Sequence, residues 1–483
     1  MTTSPRPSPG PDARPQGPEP LPGDEQTTGE LERAERQSLR RVAGLSTELQ
    51  DVTEVEYRSL RLERVVLIGV WTSGSQRDAD NSVAELASLA ETSGSAVLEV
   101  LVQRRQRPDP ATYIGSGKVT EVREVVEASG ADTVICDGEL SSAQLRNLEE
   151  RVGVKVVDRT MLILDIFAQH AQSREGRAQV ELAQLDYLSQ RLRGWGSSLS
   201  RQAGGRGGGA GGGVGTRGPG ETKLETDRRR IRTRMSRLRR DLASMATARE
   251  TKRAERRRRE VPAVAVAGYT NAGKSSLLNQ LTHAGVLVED ALFATLDPAV
   301  RRTRTSDGRL YTLADTVGFV RHLPHELVEA FRSTLEEVTE ADVVVHVVDG
   351  SHPDPEGQIS AVRAVLADIG ATTLPEVVAI NKTDAADPYV VTRLLRNERS
   401  AVAVSAYTGA GIDELRQAIE DALPHPPVEV DVVVPYERGA LVSAVHSTGE
   451  VLDVEHLGAG TRMHARVSES LAAELDNVAT LAE

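Results

Sequence analysis

At 483 residues the chain has room for about three domains, and 39% apolar with 3% aromatic side chains supplies ordinary cores but few rings for stacking on bases. Its one cysteine, Cys136, excludes a disulfide framework and a Cys-based zinc site. The net charge of −13 conceals a basic segment, with 23 Lys and Arg against 10 Asp and Glu between Ser173 and Glu260. Such a distribution points to a polyanion met through a single arm, not to a general nucleic-acid coat.

In chain order, residues 1–55 are rich in Pro, Gly, Gln and Glu and read as a disordered tail without the apolar stretch of a secretory signal. The longest apolar runs, such as 261–268 and 343–348, are strand-sized and far below the ~20 residues of a membrane span. No membrane span and a cytoplasmic location are therefore expected. Residues 56–172 alternate β-branched apolar runs at 65–70, 96–102, 132–136 and 154–157 with helical patterns at 81–92, 117–128 and 141–151. This predicts a small parallel α/β domain, and Ser141 with Gln144 three places on gives the third helix a capping box.

Residues 173–260 read as a basic helical hairpin. Leu224, Ile231, Met235, Leu238, Leu242 and Met245 form a heptad-spaced stripe, most simply satisfied inside the hairpin, so a monomer is expected. Its tip holds the glycine tract 204–215, followed by Arg217-Gly218-Pro219-Gly220-Glu221. Residues 261–427 form a second α/β alternation. In residues 428–483 the runs 428–434, 441–445 and 462–467 alternate with period two and 468–475 is helical in pattern, predicting a small α+β domain.

The second α/β unit carries the chemistry. Gly268-Tyr269-Thr270-Asn271-Ala272-Gly273-Lys274-Ser275 follows an apolar strand and opens a helix. Glycines there let backbone N–H groups approach a phosphate, aided by the helix N-terminus. Lys274 reaches the β- and γ-phosphates and Ser275 can ligate Mg2+. Asp315-Thr316-Val317-Gly318 closes a strand, placing a carboxylate near the metal shell and the Gly318 N–H near the γ-phosphate. Between them, Phe293-Ala294-Thr295-Leu296-Asp297 offers the Thr295 hydroxyl as a further metal ligand. The catalytic set is thus Lys274, Thr295 and Gly318, and the metal set Ser275, Thr295 and Asp315. After another strand come Asn381-Lys382-Thr383-Asp384. The Asp384 carboxylate suits the guanine N1–H and N2–H2 pair, which adenine lacks. Ser405-Ala406-Tyr407 can then present a backbone N–H to guanine O6. Motifs in this order, each at a strand end, predict GTP and GDP binding.

Phe319 stands where a Ras-type enzyme has its water-orienting glutamine, so an outside group completes the site or hydrolysis is slow until a partner binds. Asn271 offers another device, a potassium ion beside the phosphates. Gly115-Ser116-Gly117-Lys118 fails the phosphate-loop pattern because Thr112 stands where glycine is required. His346 lies in an apolar strand and reads as a core histidine, while His322 and His325 fall in a switch-like segment.

Over residues 64–424 the sequence resembles the HflX family of translational GTPases. Besides the nucleotide motifs, Tyr113-Ile114-Gly115-Ser116-Gly117-Lys118, Asp137-Gly138-Glu139-Leu140-Ser141 and Arg217–Glu221 resemble its N-terminal signatures, and 293–298 and 315–319 its switch segments. The resemblance implies a GTPase that binds the large ribosomal subunit and its rRNA, in some members splitting stalled or hibernating ribosomes, with the hairpin tip near the peptidyl-transferase region. An assembly GTPase of the large subunit and a nucleotide-gated signalling adaptor are the alternatives. The expected fold is a phosphate-loop GTPase domain preceded by a parallel α/β domain with a long hairpin and followed by a small α+β domain.

Overall fold

The computed structural model describes residues 64–203, 219–258, 261–282, 292–293, 300–320, 332–477 and 480–481. The expected N-terminal tail, the glycine tract, residues 294–297 and both His322 and His325 lie outside the described residues.

The first unit runs β1 (Arg64–Trp71), α1 (Gln76–Thr92), β2 (Ala96–Arg104), α2 (Ser116–Ser129), β3 (Thr133–Cys136), α3 (Ser142–Val152), β4 (Lys155–Asp158) and α4 (Arg159–His170). Its four strands are all parallel in the order β2-β1-β3-β4. β3 and β4 are buried along their whole length, so the apolar pair at the centre of each is flanked by residues that do not alternate with an exposed face. The Ser141–Gln144 capping box forms as its spacing predicts. A second box, Ser75 with Asp78, starts α1 at Gln76, earlier than the apolar pattern alone indicated. Gly115 caps α2 without a side-chain bond, so the failed phosphate-loop look-alike is a helix start. The sequence pattern missed α4, because eight of its twelve residues are buried and a helix covered on all sides has no polar face to betray its period.

Next come α5 (Arg174–Ala203) and α6 (Pro219–Arg258). Ala178, Leu182 and Leu185 of α5 pack on Ile231, Met235, Leu238 and Leu242 of α6, so the middle of the heptad stripe, from Ile231 to Leu242, is turned into the hairpin. Arg234 of α6 makes a two-pronged ion pair with Glu181 of α5.

The second α/β unit comprises β5 (Ala263–Gly268), α7 (Lys274–Thr282), β6 (Val300–Arg304), β7 (Leu310–Asp315), α8 (Arg332–Thr339), β8 (Val343–Asp349), α9 (Pro355–Asp368), β9 (Glu376–Asn381), α10 (Pro388–Asn397), β10 (Ala401–Ala403) and α11 (Ile412–Ala422). The sheet order is β10-β9-β8-β5-β7-β6, parallel throughout except for the antiparallel edge strand β6. β6 reads Val-Arg-Arg-Thr-Arg; a charged edge strand carries no apolar signal to find in the sequence. One apolar cluster runs through both α/β units, joining Leu86, Leu162 and Phe167 to Tyr269, Phe293 and Phe319.

The last unit holds β11 (Val428–Val434), α12 (Gly439–Thr448), β12 (Glu450–Leu457), β13 (Gly460–Val467), α13 (Glu469–Asp476) and β14 (Thr480–Leu481), with an antiparallel sheet ordered β12-β13-β11-β14. Here one expectation is corrected, since 441–445 is helical. Leu441, Val442, Ala444 and Val445 all face the core of this unit, a spacing that suits one face of a helix and not one face of a strand. No helix among the described residues is long and apolar enough to cross a membrane.

Candidate functional site

The site forms at the C-terminal ends of β5, β7 and β9, where an open α/β sheet offers its crevice. The loop after β5 bends at Gly268 (φ +156°) and Gly273 (φ +89°), and a Cβ on Gly273 would collide with Asn381 Nδ2. Asn271 also has positive φ, +56°, and its side chain is exposed, a conformation asparagine tolerates better than most residues. Ala272 is fully buried and Thr270 nearly so.

Lys274 opens α7 and is 7% exposed. Its Nζ donates to Tyr269 O at 2.8 Å and Gly268 O at 3.2 Å, so the ammonium is folded back over its own loop. Burial lowers its pKa to about 8, against the opposing pull of the Asp315 carboxylate. Ser275 Oγ donates to Asp315 Oδ2 at 2.8 Å, bringing together two of the three expected metal-side groups. The third, Thr295, lies outside the described residues with Ala294, Leu296 and Asp297.

The segment after β7 lies across the loop. Phe319 N–H donates to Gly268 O at 3.1 Å and Thr270 N–H to Phe319 O at 2.8 Å. Thr316 Oγ1 donates to Val266 O at 2.8 Å, fixing the strand end, and Val317 is buried beside it. Gly318 is held so close to Thr270 and Lys274 that a Cβ would meet Thr270 Cγ2 at 2.7 Å. Phe319 itself is 2% exposed within the shared core. It acts as an apolar pin, with no polar side-chain atom to aim at water.

On the base side, Asn381 bridges two loops: its Nδ2 donates to Ala272 O at 2.8 Å and its Oδ1 accepts from Ala406 N–H at 2.9 Å. Thr383 Oγ1 donates to Val404 O at 2.9 Å, and Asp384 Oδ1 accepts from Ser405 Oγ at 2.5 Å. Lys382 adopts φ +60° and its Nζ pairs with Asp349 at 2.7 Å. At the Ser405-Ala406 turn the first backbone N–H donates to Ala410 O and the second to Asn381 Oδ1. Tyr407 is 89% exposed beside this turn.

Tyr269 and Phe293 were picked out from the sequence, but the partners that hold them, Phe167, Glu85 and Arg159, were not. Phe293, buried and at φ +61°, stacks edge-on against Phe167 of α4 with ring centroids 4.5 Å apart. Tyr269 Oη donates to Glu85 Oε1 of α1 at 2.7 Å. Glu85 belongs to a buried set with Arg159 and Asp137. Asp137 opens one of the signature segments, and that was the only signal available. His346 is confirmed as a core histidine, 1% exposed and bonded through Nδ1 to Glu376 Oε1 at 2.7 Å.

Sheet order, loop geometry and the base-side carboxylate together define a phosphate-loop GTPase, an enzyme that hydrolyses GTP. Comparison with known proteins makes this narrower. Four family models match in succession: "GTP-binding GTPase N-terminal" over residues 80–168, "GTP-binding GTPase Middle Region" over 170–256, "50S ribosome-binding GTPase" over 263–382 and "HflX C-terminal domain" over 390–480. GTPase HflX of Lacrimispora saccharolytica is 44% identical over 429 residues, covering 89% of this chain and 98% of that protein. GTPase HflX of Escherichia coli K12 is 43% identical over 384 residues, 79% of this chain and 88% of its own length. Among solved structures, a GTP-binding protein from Sulfolobus solfataricus in complex with GDP aligns with a TM-score of 0.39 at 23% identity, over 74% of this chain and 98% of that one. The chain belongs to the HflX family of GTPases.

Proposed function

We propose that this GTPase binds the large ribosomal subunit through its basic hairpin and uses the nucleotide state to split or recycle stalled or hibernating ribosomes. The observation that carries the ribosomal part is the arrangement of α6. Its apolar stripe is turned inward, leaving Arg229, Arg230, Arg232, Arg237, Arg239 and Arg240 exposed. An arginine-lined helix with little aromatic content suits phosphate and shape contacts to rRNA, not base stacking. The match to a family model described as a 50S ribosome-binding GTPase supports the same partner.

In this reading the backbone of residues 268–275 cradles the phosphates, and Lys274 exchanges its two carbonyl partners for phosphate oxygens. Ser275 and Asp315, already 2.8 Å apart, fit a magnesium ion with its hydration shell, and Thr295 is assigned as the further ligand. Bound there, magnesium neutralises charge on the β- and γ-phosphates. Gly318 offers its N–H to the γ-phosphate, in addition to the Phe319–Gly268 and Thr270–Phe319 bonds that hold the segment on the loop; losing that oxygen on hydrolysis removes this further tie to the nucleotide. Asp384 reads guanine through N1–H and N2–H2. Because Phe319 is sequestered, the attacking water is oriented by a group from the partner, so hydrolysis is slow in the free protein. Asn271 is assigned to a potassium ion beside the phosphates, a reading its exposed side chain supports.

Sucrose-gradient separation with a non-hydrolysable GTP analogue tests the splitting role. Dissociation of 70S particles into subunits is expected. Intact 70S particles carrying the bound protein would overturn it, and binding confined to immature large subunits would favour an assembly role. GTPase rates measured with and without large subunits, in K+ and in Na+, test the partner and the cation: stimulation by subunits and a higher rate in K+ are expected.

A further inference from the structure

Tyr269, the first variable position of the phosphate loop, is only 4% exposed, and its hydroxyl leaves the GTPase unit altogether. It donates to Glu85 Oε1 on α1 at 2.7 Å. Glu85 is 12% exposed, and Arg159 Nη2 lies 2.9 Å from the same oxygen, in ion-pair geometry. Arg159, 4% exposed, turns its Nη1 to Asp137 Oδ1 at 2.7 Å, and Asp137 Oδ2 accepts from Ser82 Oγ at 2.6 Å. A charge set this far from water keeps its geometry only while each member is paired. The nucleotide loop is therefore tied to a rigid object in another unit.

The residue before Arg159 makes the link longer. Asp158, 1% exposed, ends β4 and holds the root of the hairpin. Its carboxylate accepts from Tyr187 Oη and Arg191 Nη2 of α5, both at 2.5 Å, and from the Leu140 and Met161 N–H groups. One dipeptide, Asp158-Arg159, thus faces the arm on one side and the phosphate loop on the other. The first switch is held by the same unit independently, through Phe293 on Phe167 and the Leu292 N–H on Thr92 Oγ1.

We propose that Glu85 and Arg159 are positioning residues for the phosphate loop, acting through the Tyr269 hydroxyl, and that the Asp158-Arg159 step couples the seating of the hairpin arm to nucleotide retention. Glu85 fixes where Tyr269 sits, Tyr269 fixes the carbonyl that Lys274 holds, and a shift of α5 reaches all three through adjacent residues. The proposal rests on the nucleotide reading of the site and requires nothing of the ribosome.

Release of a fluorescent GDP analogue from the full-length protein, followed by stopped flow, tests it. Tyr269→Phe removes one hydroxyl and leaves every charge in place; Glu85→Gln keeps an acceptor oxygen but removes the charge. Each is expected to speed release about tenfold, as for loss of a hydrogen bond to a charged group. The double variant is expected to be no faster than the faster single, since both act on the same Tyr269–Glu85 bond. Tyr187→Phe, at the arm root, is expected to speed release about threefold, less than for a bond lost at the loop itself because Asp158 and Arg159 stand between it and Tyr269. A merely structural role would lower the melting temperature of these variants and leave the release rate alone. Release within twofold of the wild type in Tyr269→Phe, or fully additive effects in the double variant, overturns the loop positioning; an unchanged rate in Tyr187→Phe overturns the coupling to the arm. The wild-type chain serves as the control: if it retains no GDP, the nucleotide reading fails, whereas retention with insensitive variants removes this inference alone.

Discussion

At the scale of single residues, the most consequential state is that of Lys274. In the free protein its pKa is lowered to about 8 by burial, whereas phosphate oxygens would hold it charged. Binding at higher pH must then take up a proton, and affinity falls as pH rises through that value. From a pKa of about 8, GDP binding is expected to weaken about fourfold between pH 7 and pH 8.5. Fluorescence titration at the two pH values checks it, and Lys274→Arg, always charged, is expected to lose the dependence on this step. Asp384 permits a sharper exchange. Asparagine there replaces an acceptor with a donor, which suits the C2 carbonyl of xanthine and leaves the guanine amino group unpaired. Asp384→Asn is expected to lose GDP affinity by at least about tenfold and gain affinity for the xanthine nucleotide, as judged from one unsatisfied buried group. Competition binding with the two diphosphates measures both changes.

Among elements, β8, β9 and α9 are joined by a charge network that the apolar pattern of their strands concealed. Glu376 accepts from His346 and from Arg363, which also pairs with Glu398. Burial disfavours the Glu376 charge, but its hydrogen bonds from His346 and Arg363 prevail and bring its pKa from 4.5 to about 2. A carboxylate with a depressed folded pKa stabilises fully above its unfolded value and loses that contribution as pH falls through the folded one. The protein is therefore expected to lose stability between about pH 4.5 and about pH 2 from this group. Glu376→Gln should lower the melting temperature at pH 7 and flatten the acid limb of a thermal-denaturation series over that window. The hairpin makes a separate prediction. Each exposed arginine of α6 that touches an rRNA phosphate contributes to the salt dependence of binding. Arg232→Ala and Arg239→Ala are each expected to reduce the slope of log affinity against log salt by about 1, measured by pelleting with large subunits. The sequence revealed the stripe that closes this hairpin because the stripe is heptad-spaced. It did not reveal α4 or α12, whose periods are masked by all-round burial or by a run too short to separate period two from period 3.6.

For the whole molecule, the two α/β units share one core, with Phe167 and Phe293 in edge contact across the boundary. They are expected to unfold in a common calorimetric transition. Phe293→Ala is expected to lower that transition through loss of buried ring area, at about 3 kcal/mol or more for a buried aromatic truncation. What the sequence determined by itself was the chemistry of the GTPase unit. Spacing such as Gly268–Ser275 and Asn381–Asp384 lies within short stretches of chain, and each motif follows a strand whose apolar run marks it. Only the tertiary structure decided which partners meet across long sequence separations. Tyr269 finds Glu85, Asp158 finds Tyr187 and Asn381 finds Ala272 through packing of sheets and helices. A buried polar pair leaves no period or spacing in the chain, because its members are neighbours only after the core has formed.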